Sequence, residues 1–302
     1  MADFFYIHLP MIRHCNALFL VLSIAVGTHA QAVFTSTPEV VHPYLVSTDH
    51  ADVKLTFSAD GKRMLWGVIG REAEGHGGWD IWESTLENGR WSIAAPATFN
   101  SDSNDFDPFF APDGTGVYFF SNRAGGLGGD DLYFAPYNTL TQQYGDAANL
   151  GITVNSPGDE WGPVVSADGK QLMFCTDGRG GIGKHDIFIA TRRGNGWAEA
   201  RHTGKILNSV GDDFDPVWLD DGRTIVFASE RNTEVDLYTT YRVKNNVYSP
   251  PKRCEISTPG QWDFGCAVDY KHPGVLYFSA HREDHNLGRS DIYRVFYTLS
   301  PP

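Results

Sequence analysis

Long apolar runs are scarce in this 302-residue chain, and none outside a short N-terminal stretch has the length to cross a bilayer. Cysteine is scarce as well. The chain has four cysteines and no Cys-x-x-Cys pair, which removes a disulfide scaffold and leaves a structural zinc site little support, despite the zinc-like spacing of His281-Arg-Glu-Asp-His285. Basic residues are outnumbered, with 24 Lys and Arg against 37 Asp and Glu, a formal charge of −13. That balance opposes polyanionic partners such as nucleic acid or anionic lipid, and suits a cationic ligand, a basic protein patch or a metal. No segment sustains a 3.6-residue apolar period over a helix length. A Gly-x-Ser-x-Gly elbow, the mark of many serine hydrolases, is also missing. With aromatics at 13% and charged residues at 20%, disorder is excluded in turn.

What is present begins with an export signal. Arg13 and His14 precede the apolar run from Ala17 to Val26, and Thr28-His29-Ala30 offers small residues after it. A basic start, about ten apolar residues and a small-residue exit describe a secretory signal peptide over residues 1–30. Cys15 lies ahead of the run, which argues against a lipoprotein anchor. The expected mature chain, 31–302, is periplasmic or secreted and has no membrane span. It keeps Cys175, Cys254 and Cys266, and Cys254 with Cys266 is the candidate bridge in an oxidising compartment.

The mature chain repeats itself. Asp105-Phe-Asp-Pro-Phe-Phe-Ala-Pro-Asp113-Gly matches Glu160-Trp-Gly-Pro-Val-Val-Ser-Ala-Asp168-Gly and Asp213-Phe-Asp-Pro-Val-Trp-Leu-Asp-Asp221-Gly. An earlier copy starts at Asp52 and a later one at Asp263. Each continues into an apolar strand ending near Arg71, Arg123, Arg179, Arg231 or Arg282, and then into Asp80-Ile-Trp, Asp131-Leu-Tyr, Asp186-Ile-Phe, Asp236-Leu-Tyr or Asp291-Ile-Tyr. Asp-Gly between apolar runs is a hairpin signal. Units of roughly 50 residues with about four strands each are propeller blades. The expectation is an all-β, five-bladed β-propeller of four-stranded antiparallel blades, filling residues 31–302 as one domain. The last copy stops without a fourth strand, whereas Ala32 to Val41 precede the first copy unassigned. That N-terminal strand is expected to join the last blade and close the ring.

These repeats, above all Asp213 through Asp221-Gly to Arg231 and Ser121-Asn-Arg-Ala-Gly-Gly-Leu-Gly-Gly-Asp-Asp-Leu-Tyr133, resemble the TolB-like (WD-forty-like) propeller repeat. The resemblance spans nearly the whole mature chain. It implies the fold and an exported propeller that binds a cell-envelope protein or glycan. TolB itself docks a peptidoglycan-associated lipoprotein, but adds an α/β domain and a sixth blade that have no counterpart here. Related repeats also occur beside peptidoglycan-binding domains and in hydrolases and lyases.

The repeat register places Asp52, Asp105, Glu160, Asp213 and Asp263 at one station of every blade, near the mouth of the central channel. Such carboxylates repel unless a cation, a basic side chain or a proton offsets them. A Ca²⁺ site drawing on Asp105, Glu160 and Asp213 is one reading. Capping of each blade's own turn, or neutralisation by the repeated Arg, is the other. The repeated Arg is expected to pair with the Asp of the third strand, as Arg123 with Asp131 and Arg179 with Asp186. His76, His185, His281 and His285 fall on the same face, and Asp107 and Asp215 add a second carboxylate two residues along. The expected ligand-binding set is Asp52, Asp105, Glu160, Asp213, Asp263, His76 and His281. If the chain is instead a glycoside hydrolase or polysaccharide lyase, Asp105, Asp213, Glu160 and His185 are the catalytic candidates, with Trp79, Trp161 and Trp262 as sugar platforms and Trp218 in the core. The Gly-rich loops at 75–78, 125–129 and 180–183 join strand to strand and lack the helix N-terminus that a phosphate cradle uses. Their expected role is close approach of neighbouring chain or ligand.

Overall fold

The computed structural model describes residues 32–71, 75, 76, 78–283 and 286–300; the expected signal segment 1–30 and His285 lie outside the described residues. Among these, all regular elements are strands, arranged in five antiparallel sheets. Blade 2 shows the pattern. Its first strand Asp105–Phe110 pairs with Gly116–Ser121, and that with Asp131–Asn138. The fourth strand is broken into Gln143–Tyr144 and Ala148–Asn149, both paired with the third. First strands of the other blades are Ala51–Phe57, Glu160–Val165, Asp213–Trp218 and Asp263–Val268. Each packs on the next, and the last on the first, which makes a ring.

The second strands Gly116–Ser121, Thr224–Ser229 and Val275–Ala280 are buried along their whole length. Blades lie against both of their faces, so they read as continuous apolar runs rather than alternating ones. In the Asp-Gly turn of blade 1, Asp60 accepts the Lys62 N–H at 3.0 Å and Gly61 takes φ +68°. Ring closure follows the expected route: Ala32–Phe34 pairs with Asp291–Leu299 in the register Ala32 to Leu299, and Glu39–Val40 pairs with Arg294 and Tyr293. The first strand of every blade is broken by a bulge after its second or third residue, at Val53/Thr56, Phe106/Phe109, Trp161/Val164, Phe214/Val217 and Phe264/Ala267. The bulged residues Lys54, Asp107, Gly162, Asp215 and Gly265 all have φ between +47° and +62°. A bulge re-aims a side chain, and here it turns this one station of every blade to the ring axis.

The structure corrects two expectations. Cys254 and Cys266 are not bridged; with Cys175 they are free, buried thiols packed as small apolar residues. Arg123, Arg179, Arg231 and Arg282 do not pair with the third-strand Asp. Arg123, Arg231 and Arg282 reach back to the first-strand acids Asp105, Asp213 and Asp263 at 2.5, 2.8 and 2.5 Å. Their guanidinium planes lie near the third-strand aromatics Tyr133, Tyr238 and Tyr293, which accounts for the aromatic in the Asp-aliphatic-aromatic motif.

Candidate functional site

The third-strand Asp80, Asp131 and Asp186 serve the Gly-rich loops, whereas Asp236 binds Arg253. Asp131 accepts the Leu127 N–H, and Asp186 accepts Ile182 N–H at 2.6 Å and Gly183 N–H at 3.2 Å. A Cβ at Gly126 or Gly181 would overlap that carboxylate. These loops are anion cradles already filled by the protein's own side chain. Further along, Gly128, Gly183 and Gly288 let the loop touch the backbone of the next blade, where Lys184 N–H reaches Gly211 C=O at 3.2 Å.

Each of the five first-strand acids is buried and engaged at its own turn. Asp105 accepts the Ser101 N–H and hydroxyl at 2.5 and 2.8 Å, besides Arg123. Asp213 accepts Ser209 N–H and the Ser229 hydroxyl, both at 2.5 Å. Asp52 accepts the Thr48 N–H and hydroxyl; burial pushes it up to about 7 against those bonds and the Arg71 charge. Asp263 takes the Thr258 N–H at 2.9 Å, and burial raises it to about 6 although Arg282 pulls the other way. Glu160, one methylene longer, reaches the hydroxyls of Ser156 and Thr176, and burial pushes it up to about 7. Arg179 is left to bind the carbonyls of Ile152, Val154 and Asn155 and the carboxylate of Glu199. Among the candidate histidines, His76 is exposed and gives its N–H to Asp80 at 2.8 Å. His281 is exposed, with Nδ1 3.0 Å from the Arg289 carbonyl. His185 is buried, stacked on Trp161 at 3.8 Å between ring centroids, with Nδ1 2.8 Å from Asp212.

What converges is the bulge station. Lys54 Nζ from blade 1 lies 2.9 Å from Asp215 Oδ1 in blade 4, and both are buried. Gly265 N–H gives to Asp215 Oδ2 at 2.9 Å, and Gly162 N–H to Asp107 Oδ2 at 3.2 Å. Five stations from five blades therefore meet, as one lysine, two aspartates and two glycines. The glycines make the space, since a Cβ at Gly162 would lie 2.9 Å from Asp215 Oδ1 and 3.2 Å from Lys54 Nζ. Burial, then the neighbouring Asp215, raises Asp107 far above the usual carboxylate range, and Lys54 offsets only part of this. Burial works against the Lys54 charge, but Asp215 and Asp107 outweigh it and hold Lys54 above its ordinary value. Asp107 thus faces Asp215 at the axis, with Lys54 as the buried counter-charge.

Above this plug opens a cavity of about 450 Å³. Its wall contains the residue just before the bulge in every blade: Val53, Phe106, Trp161, Phe214 and Phe264. Trp79 and Trp262 complete an aromatic funnel, 39% and 60% exposed, whereas Trp218 is in the core. Asp107 and Asp215 form its floor, and Lys184, Asp212 and Glu230 share the rim, with Lys184 Nζ 2.6 Å from Glu230 and 3.3 Å from Asp212. A smaller cavity of about 250 Å³ below the plug, lined by Phe109 and Tyr270, ends the channel on the Asp-Gly turn side. A groove of about 720 Å³ between blades 2 and 3 is wider, but its Arg192 is spent on the Trp197 face and the Tyr118 hydroxyl.

Two repeating features went unread in the sequence. Lys54 shows only when the copies are stacked, because blade 1 has Lys where the others have Asp or Gly. The Asn-Ser pairs 100–101, 155–156 and 208–209 also recur: Asn155 and Asn208 Oδ1 take the third-strand amides of Leu132 and Ile187, and Ser101, Ser156 and Ser209 amides give to the first-strand acid.

No protein-family model matches the sequence. No curated protein matches it either. Among solved structures, the chain is similar to TolB from Acinetobacter baumannii, at 18% identity over 68% of this chain and TM-score 0.46, and it spans 44% of that protein. A putative TolB from Agrobacterium tumefaciens is 16% identical, over 84% of this chain and 91% of that one, with TM-score 0.49. The α-L-arabinofuranosidase catalytic domain of Coprinopsis cinerea is 10% identical, over 88% of this chain and 97% of that one, with TM-score 0.53. At these identities the likeness is one of fold, a β-propeller of five blades. No helix among the described residues is long and apolar enough to cross a membrane.

Proposed function

We propose that this protein is an exported, non-catalytic binding propeller that takes a glycan or peptide segment of a cell-envelope partner into its axial funnel. The observation that carries the reading is the state of the two floor carboxylates. Asp107 and Asp215 are neighbours at the axis, clamped by Lys54 and by the backbone amides of Gly162 and Gly265. Glycosidase carboxyls stand about 5–5.5 Å apart for retention, or about 6.5–9.5 Å for inversion, to make room for sugar or water. Two carboxylates crowded against Gly162 and a buried lysine leave neither space. The exposed faces of Trp79 and Trp262 offer what a binding site uses, large rigid contact area for sugar rings or an apolar side chain. Export rests on Arg13, His14 and the apolar run after them.

A second reading, a carbohydrate hydrolase or lyase, draws on the protonated carboxyl of Asp107 at the base of an aromatic pocket. One experiment separates the two. Cell-wall oligosaccharides and envelope peptides are titrated against the full chain, following tryptophan fluorescence and product formation together. Saturable binding without product, weakened tenfold or more in Trp262→Ala, is the expected result. Turnover that disappears in Asp107→Asn while binding persists would replace this reading with the enzymatic one.

A further inference from the structure

The residue just before the first-strand acid is followed across each blade by one neighbour at the end of the second strand and one at the start of the third. These triplets are Ala51, Ile69 and Trp79; Asn104, Asn122 and Asp130; Asp159, Asp177 and His185; Asp212, Glu230 and Val235; and Trp262, His281 and Ser290. Only blade 3 places two carboxylates and an imidazole there, with ligand atoms within 4.8 Å of one another. The fold does not require them. In blade 2 the Asn104 N–H still bonds Asn122 Oδ1 at 3.0 Å, just as Asp159 N–H bonds Asp177 Oδ1 at 2.8 Å.

His185 supplies an independent observation. Its Nδ1 is held by Asp212 at 2.8 Å, while Nε2 is buried without a hydrogen-bond partner. A carboxylate on one ring nitrogen fixes the tautomer and turns the other nitrogen's lone pair outward, the arrangement that orients metal-binding histidines. An unsatisfied buried acceptor is otherwise destabilising. The neighbouring acids Asp212 and Glu230 have Lys184 as counter-ion, whereas among the described residues neither Asp159 nor Asp177 forms an ion pair with Lys or Arg.

We propose that Asp159, Asp177 and His185 bind a first-row divalent transition-metal ion, with Zn²⁺ the best match, on the rim of blade 3 behind Trp161. One imidazole and two carboxylates suit a borderline cation, and three protein ligands leave a fourth position for water. Ligands on tetrahedral zinc stand roughly 3.4 Å apart. Closure from the observed spacing therefore falls to the exposed side chain of Asp177. Ca²⁺, which takes six to eight oxygens, is a poor match. This site does not depend on what fills the funnel.

The test uses the full mature chain, freed of metal by chelator and dialysis, and titrated with Zn²⁺ by calorimetry and thermal melting. The expected result is binding of one equivalent, with a melting point that climbs as Zn²⁺ rises. Anomalous scattering at the zinc edge should place the ion at His185 Nε2. Asp177→Asn keeps the acceptor for the Asp159 amide, so its metal-free melting point should match native while Zn²⁺ affinity falls at least tenfold. His185→Gln should lose the response as well. Absence of one-equivalent binding by the native chain, or undiminished affinity in Asp177→Asn, overturns the site. A Ca²⁺ response equal to that of Zn²⁺ overturns the assigned metal class.

Discussion

Asp107 keeps a carboxyl where its charge is opposed by burial and by Asp215. Its folded value therefore stands above its unfolded one, near 3.9. Between the two the folded state holds the extra proton, so stability falls as pH rises. The contribution is full below the unfolded value and is lost as pH climbs toward and through the folded value of about 8. Asp52 and Glu160, raised to about 7, slope the same way. Asp107→Asn keeps a donor toward Asp215 and removes the titration. It should melt like the native protein near pH 4 and above it at pH 8 to 9, measured by calorimetry across that range. Equal slopes for both proteins would mean that the axial proton is misplaced. This residue was half legible: the second carboxylate at 107 and 215 stands out against Gly162 and Gly265 in the repeats. Its partner Lys54 was not, because a lone lysine in an apolar strand carries no sign of an acid 161 positions away.

At the scale of one strand, the bulge explains why the same station tolerates Lys, Asp and Gly yet remains crowded. Gly162 has φ +61° and faces Asp215 and Lys54, whereas Gly114, at φ +74° in its turn, meets nothing within 4 Å. Gly114→Ala should cost about 1 kcal/mol from backbone strain alone. Gly162→Ala adds overpacking and should cost about 2–4 kcal/mol, read from denaturant midpoints of the two variants side by side. Equal losses would deny the crowding at the axis. Strand order and turns were readable here, since Asp-Gly between apolar runs and a recurring Asp-aliphatic-aromatic triplet fix each hairpin. The partner of each Arg was not readable: Asp105 and Asp131 are both a loop away from Arg123 in sequence, and only packing on Tyr133 sends the guanidinium to the first-strand acid.

For the whole molecule, the decisive pairing is the one between its ends. Removing residues 32–40 would strip the outer strand from Asp291–Leu299 and expose an unpaired edge. The truncated chain should melt several degrees lower or lose its cooperative transition, and should aggregate on heating; unchanged melting would leave the ring independent of its closing strand. That the strand belongs to blade 5 followed from two incomplete ends in the sequence, each lacking what the other had.

Because Ala32 waits for Leu299, the first strand of the ring finds its partner only when synthesis is almost finished. Blades 1 to 4 can zip locally, through hairpins of short sequence separation. The final step spans the entire chain and carries the loop-closure entropy of some 260 residues. A polypeptide of this connectivity stays open until its last strand arrives.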